Sequence, residues 1–209
     1  MDLELVKKFK DIFTGLERAH GVFEKSNEPQ QGKKVEARMK TVHEPPTLEK
    51  FELHLKGEYP AMGIVPINDD NECVFGAIDI DIYPLDHKAL LKKIHNKKFP
   101  LIMCLSKSGG AHLYLFTQQK VSARDIQLKL SEMSTALGYP SAEVFPKQIE
   151  LFTKEGEEKR DTGSWINMPY HGRNRYALKE DGRASSLEEF FQLYEKFVVS
   201  DLKKIKTDF

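Results

Sequence analysis

The stretch that most constrains the fold is "FGAIDIDIY", residues 75–83. An apolar run rich in isoleucine predicts a strand buried in a sheet. The run also carries two acids, Asp79 and Asp81. Because alternate strand residues share a face, both carboxylates project the same way, about 6–7 Å apart along the strand. Two partly dehydrated carboxylates at that spacing raise each other's pKa, so the strand calls for a compensating positive charge.

The elements that follow this strand predict the topology of its sheet. They are a helix "PLDHKALLKKIHNK", a strand "PLIMCLS", a turn "KSGG", a strand "AHLYLF", a helix "SARDIQLKLSEMSTALG" and a strand "AEVF". The order β-α-β-β-α-β is that of ferredoxin-like and RNA-recognition-motif-like (RRM-like) domains. Such sheets have the spatial order 4-1-3-2, which places the first strand between the third and the fourth. We therefore expect His112 and Glu143 to flank the strand of Asp79 and Asp81.

The rest of the chain predicts additions to this sheet. Apolar residues at helical spacing open the chain, "KSNEPQQGKK" to "HEPPTLEK" reads as loops with at most one edge strand, and "TLEKFELHLKG" reads as a helix. A C-terminal helix "SLEEFFQLYEKF" has Ser185 or Ser186 as its cap. The predicted class is α/β (α+β), an RRM-like sheet with an N-terminal α/β extension. We expect one domain over 1–209, divided into an N-terminal lobe, 1–70, and a core with the C-terminal helix, 71–209.

Composition excludes several classes of protein. The chain has 32 basic and 32 acidic residues, so bulk charge does not predict a protein that coats nucleic acid. No run approaches the ~20 apolar residues of a membrane span, and the N-terminus lacks an apolar signal core. The two cysteines, Cys73 and Cys104, form no disulfide or zinc pattern. We expect a cytoplasmic protein with no membrane partner.

Three carboxylates are candidate metal ligands and catalytic residues. Paired hard oxygen donors favour Mg²⁺ or Mn²⁺, and Asp79 and Asp81 supply such a pair. Glu143 on the neighbouring strand completes a site for two divalent ions. The alternative is that one aspartate caps the next helix and the other is exposed.

Other polar residues suit phosphate or nucleic acid. The turn before the third strand provides hydroxyls, amides and a cation; its residues are Ser106, Lys107, Ser108, Gly109 and Gly110. His112 opens the returning strand, and Lys147 follows the strand of Glu143. Later in the chain, Arg173 and Arg175 suit phosphate, and Tyr170 or Trp165 suits base stacking, with core packing favoured for Trp165. Divalent ions beside phosphate-binding groups predict nucleotidyl transfer.

These motifs, in this order, resemble a known superfamily. "AIDIDIY", "SKSGGAHLYLF", "EVFPKQ" and "GSWINMPYHGRNR" are similar to the motifs of archaeo-eukaryotic primases. The closest resemblance is to the primase-polymerase branch of phages, plasmids and defence-associated elements, including CRISPR-associated members. "IFTGLERAHGVF" and "FELHLKGEYPAMGIVPI" extend it to nearly the whole chain.

The resemblance implies an archaeo-eukaryotic primase fold and a DNA primase-polymerase activity. Asp79 and Asp81 match the acidic pair of the family, and His112 matches its phosphate-binding histidine. Gly110 stands where the family has a serine, so that role falls to Ser106 or Ser108. The third carboxylate is Glu143, with Glu150 as the alternative.

The implied partners follow from this activity. They are a DNA template and primer, nucleoside triphosphates and two divalent ions, Mg²⁺ or Mn²⁺. Lys147 and Arg175 would help to hold the triphosphate. Family members are often joined to helicase or other replication and defence modules.

Two rival functions fit the same residues. A metal-dependent nuclease or phosphoesterase also uses a carboxylate cluster, but only His112 is at hand to activate water. A non-catalytic RRM-like module binds bases through exposed sheet aromatics. Here the acids would repel a phosphate backbone in the absence of metal ions.

Overall fold

The computed structural model describes residues 1–25, 37–153, 155 and 160–207. Within these residues the chain forms two four-stranded antiparallel sheets and five α-helices. The helices are α1 (Leu3–Ile12), α2 (Leu48–Lys56), α3 (His87–Asn96), α4 (Ala123–Leu137) and α5 (Leu187–Phe197). The strands are β1 (His20–Lys25), β2 (Ala37–Val42), β3 (Ala61–Ile64), β4 (Glu72–Ile80), β5 (Ile102–Leu105), β6 (Ala111–Ser122), β7 (Glu143–Phe145) and β8 (Ile166–Asn167). The predicted loop "KSNEPQQGKK" lies almost wholly outside the described residues.

The sheet predicted from the sequence is present with the expected topology. Its order is β5-β6-β4-β7, and every neighbouring pair is antiparallel. In the numbering of a β-α-β-β-α-β unit this is the order 4-1-3-2, so that prediction is confirmed. The strand of Asp79 is central, between β6 and β7.

The two faces of this sheet bury different side chains. Ile78 and Ile80 of β4 lie in an apolar core with residues of α3 and α4. On the other face, Phe75 packs in a second core that includes Tyr114 and Phe116 of β6 and residues of α1 and α5. Asp79 alternates with Ile78 and Ile80 and therefore shares the face of Phe75. This face meets the second sheet.

Local capping signals fix where the helices begin and end. The Ser122 side chain accepts a hydrogen bond from the backbone N–H of Asp125 at 3.1 Å, which starts α4. Gly138 ends the same helix with φ 92°, a left-handed conformation in which glycine avoids steric cost. Ser186, rather than Ser185, caps α5 and forms a capping box with Glu189.

The second sheet was not foreseen from the sequence. Its order is β2-β1-β3-β8, where the sequence predicted loops and at most one edge strand before residue 57. The strand β8 pairs with β3 although it lies a hundred residues further along the chain, Gly63 opposite Asn167. The N-terminal sheet is therefore completed by a segment from 71–209. Short strands whose pairing is non-local leave little periodic signal.

Aromatic packing joins α1 to the first sheet. Phe13 follows α1 and is fully buried. Its ring centroid lies 5.2 Å from that of Phe75, 5.4 Å from that of Tyr114 and 5.3 Å from that of Phe116, all on the face of that sheet that meets the second sheet. Aromatic pairs at these distances add to the area that they bury.

Two smaller expectations can be compared with the fold. Cys73 and Cys104 are both buried free thiols. Among the described residues, no helix combines the length and the apolar character that crossing a bilayer requires.

Phe13→Ala should lower the free energy of unfolding by about 3–5 kcal/mol, because it removes a fully buried ring from a cluster of aromatic side chains. Urea denaturation followed by circular dichroism measures this change. Phe152→Ala is the matched control, since Phe152 is 61% exposed and its truncation should cost little. A loss below about 1 kcal/mol in Phe13→Ala would contradict the bridging role of this ring.

Candidate active site

Asp79 is the centre of the site because both neighbouring strands place an ionisable residue opposite it. In the register of the sheet, Asp79 pairs with His112 of β6 and with Glu143 of β7. The Asp79 side chain is 26% exposed. Burial, followed by the charges of Asp81 and Glu143, raises its pKa to about 6. The negative charges of Asp79, Asp81 and Glu143 therefore repel one another, and the neighbouring groups do not fully compensate them.

His112 meets Asp79 as a neutral ring. Its Nε2 lies 3.4 Å from Asp79 Oδ1. Burial, assisted by the charge of Arg175, lowers the pKa of His112 to about 4, so the contact is not an ion pair at neutral pH. His112 Nδ1 lies 3.3 Å from the Tyr114 hydroxyl oxygen, and that hydroxyl donates to the Asn167 carbonyl. The two neutral tautomers differ in their contacts: Nε2–H would donate to Asp79, whereas Nδ1–H would donate to the Tyr114 oxygen.

The other two carboxylates are held by partners of their own. Asp81 accepts a hydrogen bond from the Tyr83 hydroxyl. Glu143 Oε2 lies 2.8 Å from Lys147 Nζ, and the Glu143 side chain is 61% exposed. Among the described residues, no three acidic, histidine or cysteine side chains enclose a point where a metal ion would sit. Asp81 and Glu143 are exposed side chains.

The turn "SKSGG" is a tight hairpin against the end of β4. Ser106 N–H donates to the Gly110 carbonyl at 3.0 Å. Gly109 has φ 94°, which favours glycine. A Cβ on Gly110 would lie 2.2 Å from the Ile80 carbonyl oxygen, so the close approach at Gly110 is to β4. Ser108 hydrogen-bonds the Tyr83 hydroxyl, which links the hairpin to the side chain that holds Asp81.

Two cations lie over one aromatic ring of the second sheet. Lys107 Nζ is 3.6 Å from the Phe23 ring centroid, and the Arg175 guanidinium carbon is 6.0 Å from it. Arg175 is buried, with one hydrogen bond to the Met168 carbonyl at 3.3 Å. Among the described residues, no carboxylate pairs with Lys107 or Arg175. Burial lowers the pKa of both side chains, and the charge of Arg175 further lowers that of Lys107.

Two clefts border the carboxylates. A cleft of about 370 Å³ lies between the sheets and is lined in part by Asp79, His112, Glu143 and Lys147. A second one of about 520 Å³ lies at the end of β4 and is lined by all three carboxylates. The clefts thus bring together the three predicted carboxylates, His112 and Lys147.

Three predicted residues lie elsewhere. Tyr170 is buried in the aromatic core, and its hydroxyl donates to the Ser185 carbonyl at 3.1 Å, so no face of the ring is free to stack a base. The prediction that Tyr170 stacks a base is therefore replaced by a structural role in the aromatic core. Arg173 is exposed and lines a different groove beside Tyr170. Glu150 is exposed beyond the end of β7 and lines neither cleft, whereas Glu143 lies directly across from Asp79.

Sequence reasoning missed several residues of the site. The Phe23 ring contacts the cations Lys107 and Arg175, but it belongs to β1, a strand that the sequence did not predict. The Tyr83 hydroxyl donates to Asp81, and its signal was its place two residues further along the chain, beyond the end of β4. The Asn167 carbonyl accepts the Tyr114 hydroxyl, and the Asn167 Oδ1 atom and the Ser106 Oγ atom are buried without a partner among the described residues. Unsatisfied buried polar atoms at a cleft are typical of a ligand site.

The family model for the archaeo-eukaryotic primase domain of TOTE conflict systems matches residues 7–207. The chain belongs to this family, which confirms the predicted superfamily and fold. A search of curated proteins finds no match.

Asp79→Asn should be more stable than the parent protein at pH 7, and the difference should vanish near pH 4. The folded pKa of Asp79, about 6, exceeds its ordinary value of 3.8, so protonated Asp79 favours the folded state. That contribution is complete below pH 3.8 and is lost as the pH rises through 6. Urea denaturation with a chelator present measures it, with Asp70→Asn as the control. Equal stabilities at pH 7 would show that Asp79 ionises without strain.

Proposed function

We propose that the chain is a DNA primase-polymerase. It would join the 3′-hydroxyl of a primer, paired to a DNA template, to the α-phosphate of a nucleoside triphosphate and release pyrophosphate. Making the first link between two nucleotides and extending an existing primer are the same chemistry at this site. Membership of a primase-like nucleotidyltransferase family sets the reaction class, and the residues around Asp79 support the rest.

One observation carries the proposal: a group of negatively charged side chains around Asp79 and the positively charged side chain of Arg175 both adjoin the His112 ring. Asp79 lies 3.4 Å from one ring nitrogen of His112, and Arg175 acts on the same ring electrostatically. A metal–triphosphate complex has a cationic and an anionic part and would satisfy both sides. Neither the negative nor the positive charge is neutralised by the described residues alone.

Asp79, Asp81 and Glu143 are the residues that would hold the divalent ions, Mg²⁺ or Mn²⁺. Their oxygen atoms are the donors that these ions prefer, and the raised pKa of Asp79 indicates a place where a cation is favourable. When bound, two such ions neutralise phosphate charge and lower the pKa of the attacking hydroxyl. Tyr83 and Lys147, which hold two of these carboxylates, would then be free to contact substrate.

The cationic side would hold the triphosphate. Lys107 and Arg175 provide charge, and the hairpin provides Ser106, Ser108 and the amide of Gly110. The Gly109 N–H donates to the Ser106 carbonyl at 3.3 Å and so shapes the hairpin. The buried Ser106 hydroxyl has no partner among the described residues, so a phosphate oxygen would satisfy it. His112 would orient Asp79 by donating Nε2–H to the carboxylate.

The remaining predictions extend this proposal. We infer that residues 1–209 act as one catalytic unit, because Lys107 of the hairpin contacts the Phe23 ring of the N-terminal sheet, with 3.6 Å between Nζ and the ring centroid. Lys147 would bind a phosphate once it leaves Glu143. Arg173, on a separate groove, would contact the DNA backbone away from the reacting groups.

A primer-extension assay tests the function. The protein is incubated with primed and unprimed single-stranded DNA, labelled nucleotides and Mg²⁺ or Mn²⁺. We expect ion-dependent synthesis that falls about 100-fold or more in Asp79→Asn and in Asp81→Asn, as for loss of groups that stabilise transition-state charge. Asp70→Asn, an exposed loop substitution, should retain full activity.

Each other outcome has a defined meaning. Shortening of the DNA would indicate a nuclease, and nucleotide or DNA binding without turnover would indicate a binding module. Full synthesis by both variants would show that the metal assignment is wrong. Thermal denaturation of each variant confirms that loss of synthesis is not loss of folding.

A further inference from the structure

Trp165 lies flat on a floor made of two glycines. Gly21 of β1 and Gly63 of β3 are direct neighbours across the N-terminal sheet. A Cβ on Gly21 would lie 1.9 Å from Trp165 Cδ2, and a Cβ on Gly63 would lie 2.1 Å from Trp165 Cε3. Any larger residue at either position would displace the indole. The backbone of the sheet thus fixes the plane of the ring.

The other side of Trp165 borders the cleft that contains the carboxylates. The indole is half-buried and lines this cleft together with Asp79, His112 and Glu143. Trp165 directly precedes β8, whose residues Ile166 and Asn167 line the same cleft. The indole also packs against the apolar core that contains Ile78. An aromatic ring that is seated on one face and borders a cleft on the other is available for stacking.

The surroundings of Trp165 suit a planar, partly polar ligand. Met39 and Thr41 of β2 line the same cleft, and Met39 is 63% exposed, which is unusual for a large apolar side chain. The Asn167 Oδ1 atom is buried without a partner among the described residues. An amide oxygen of this kind accepts a hydrogen bond from the edge of a base.

We propose that Trp165, on its floor of Gly21 and Gly63, stacks a nucleobase in the cleft, with Met39 beside it and Asn167 at the base edge. This inference rests on the proposed nucleotidyl transfer and adds the residue that holds the base while Lys107 and Arg175 hold phosphates. The base belongs either to the incoming nucleotide or to the DNA. Stacking on indole tolerates every base, since each has a π-face.

Trp165 is the only tryptophan of the chain, so its fluorescence reports on this site alone. The wild-type protein is titrated separately with a nucleoside triphosphate, with inorganic triphosphate, with single-stranded DNA and with an abasic oligonucleotide, all in Mg²⁺. Equilibrium dialysis measures binding of each ligand in parallel. We expect quenching by nucleotide or by DNA, but not by the two ligands that lack bases.

The pattern of quenching identifies the source of the base. Quenching by the nucleotide alone assigns the stacked base to the incoming substrate, and quenching by DNA alone assigns it to the template or primer. Equal quenching by inorganic triphosphate, or unchanged fluorescence when nucleotide and DNA both bind, would overturn the stacking role and leave the proposed function intact. Failure of both to bind would remove the two proposals together.

Variants give a second readout. Trp165→Leu should raise the KM or the dissociation constant of the quenching ligand about tenfold, with kcat much less affected, whereas Trp165→Phe should retain most of the affinity. Phe152→Leu is the matched control because it removes an aromatic ring that lines no part of the cleft. Unchanged affinity in a folded Trp165→Leu protein would contradict the inference.

Discussion

The like-charge cluster around Asp79 is the constraint on which the rest of the structure depends. The antiparallel register places Glu143 on one side of Asp79 and His112 on the other, and Asp81 lies just beyond Ile80, where β4 ends. Burial and the neighbouring acids raise the pKa of Asp79 to about 6, so the folded protein carries an unfavourable charge at neutral pH. Proteins retain such strain at functional sites, where a ligand relieves it.

The second sheet turns this cluster into a cleft with two opposing walls. One wall carries Asp79 and Glu143 of the first sheet, and the other carries Trp165, whose indole lies against the backbone of Gly21 and Gly63. The hairpin cation Lys107 reaches across from the first sheet to the Phe23 ring. Phe13 packs against Tyr114, whose ring in turn contacts His112. The carboxylates, His112 and the Trp165 ring therefore border one cleft.

Local patterns in the sequence predicted the first sheet, its strand order and the convergence of Asp79, Glu143 and His112, because alternation and topology alone determine them. They did not predict the second sheet, whose strands are short and pair over long distances. The packing of Trp165 against Gly21 and Gly63 depends on that pairing, so it could not be predicted from the sequence. The burial of Tyr170 depends on neighbouring rings from α1 and α5, so an amphipathic side chain was assigned to nucleic acid when it belongs to the core.

The central claim is that the carboxylates around Asp79 hold divalent ions. The most direct measurement is anomalous X-ray scattering from crystals grown with Mn²⁺ and a non-hydrolysable nucleoside triphosphate. The account predicts manganese peaks at coordination distance, about 2.2 Å, from carboxylate oxygens of Asp79 and Asp81, with the triphosphate beside Lys107 and Arg175. A bound triphosphate with manganese only at other residues would contradict it.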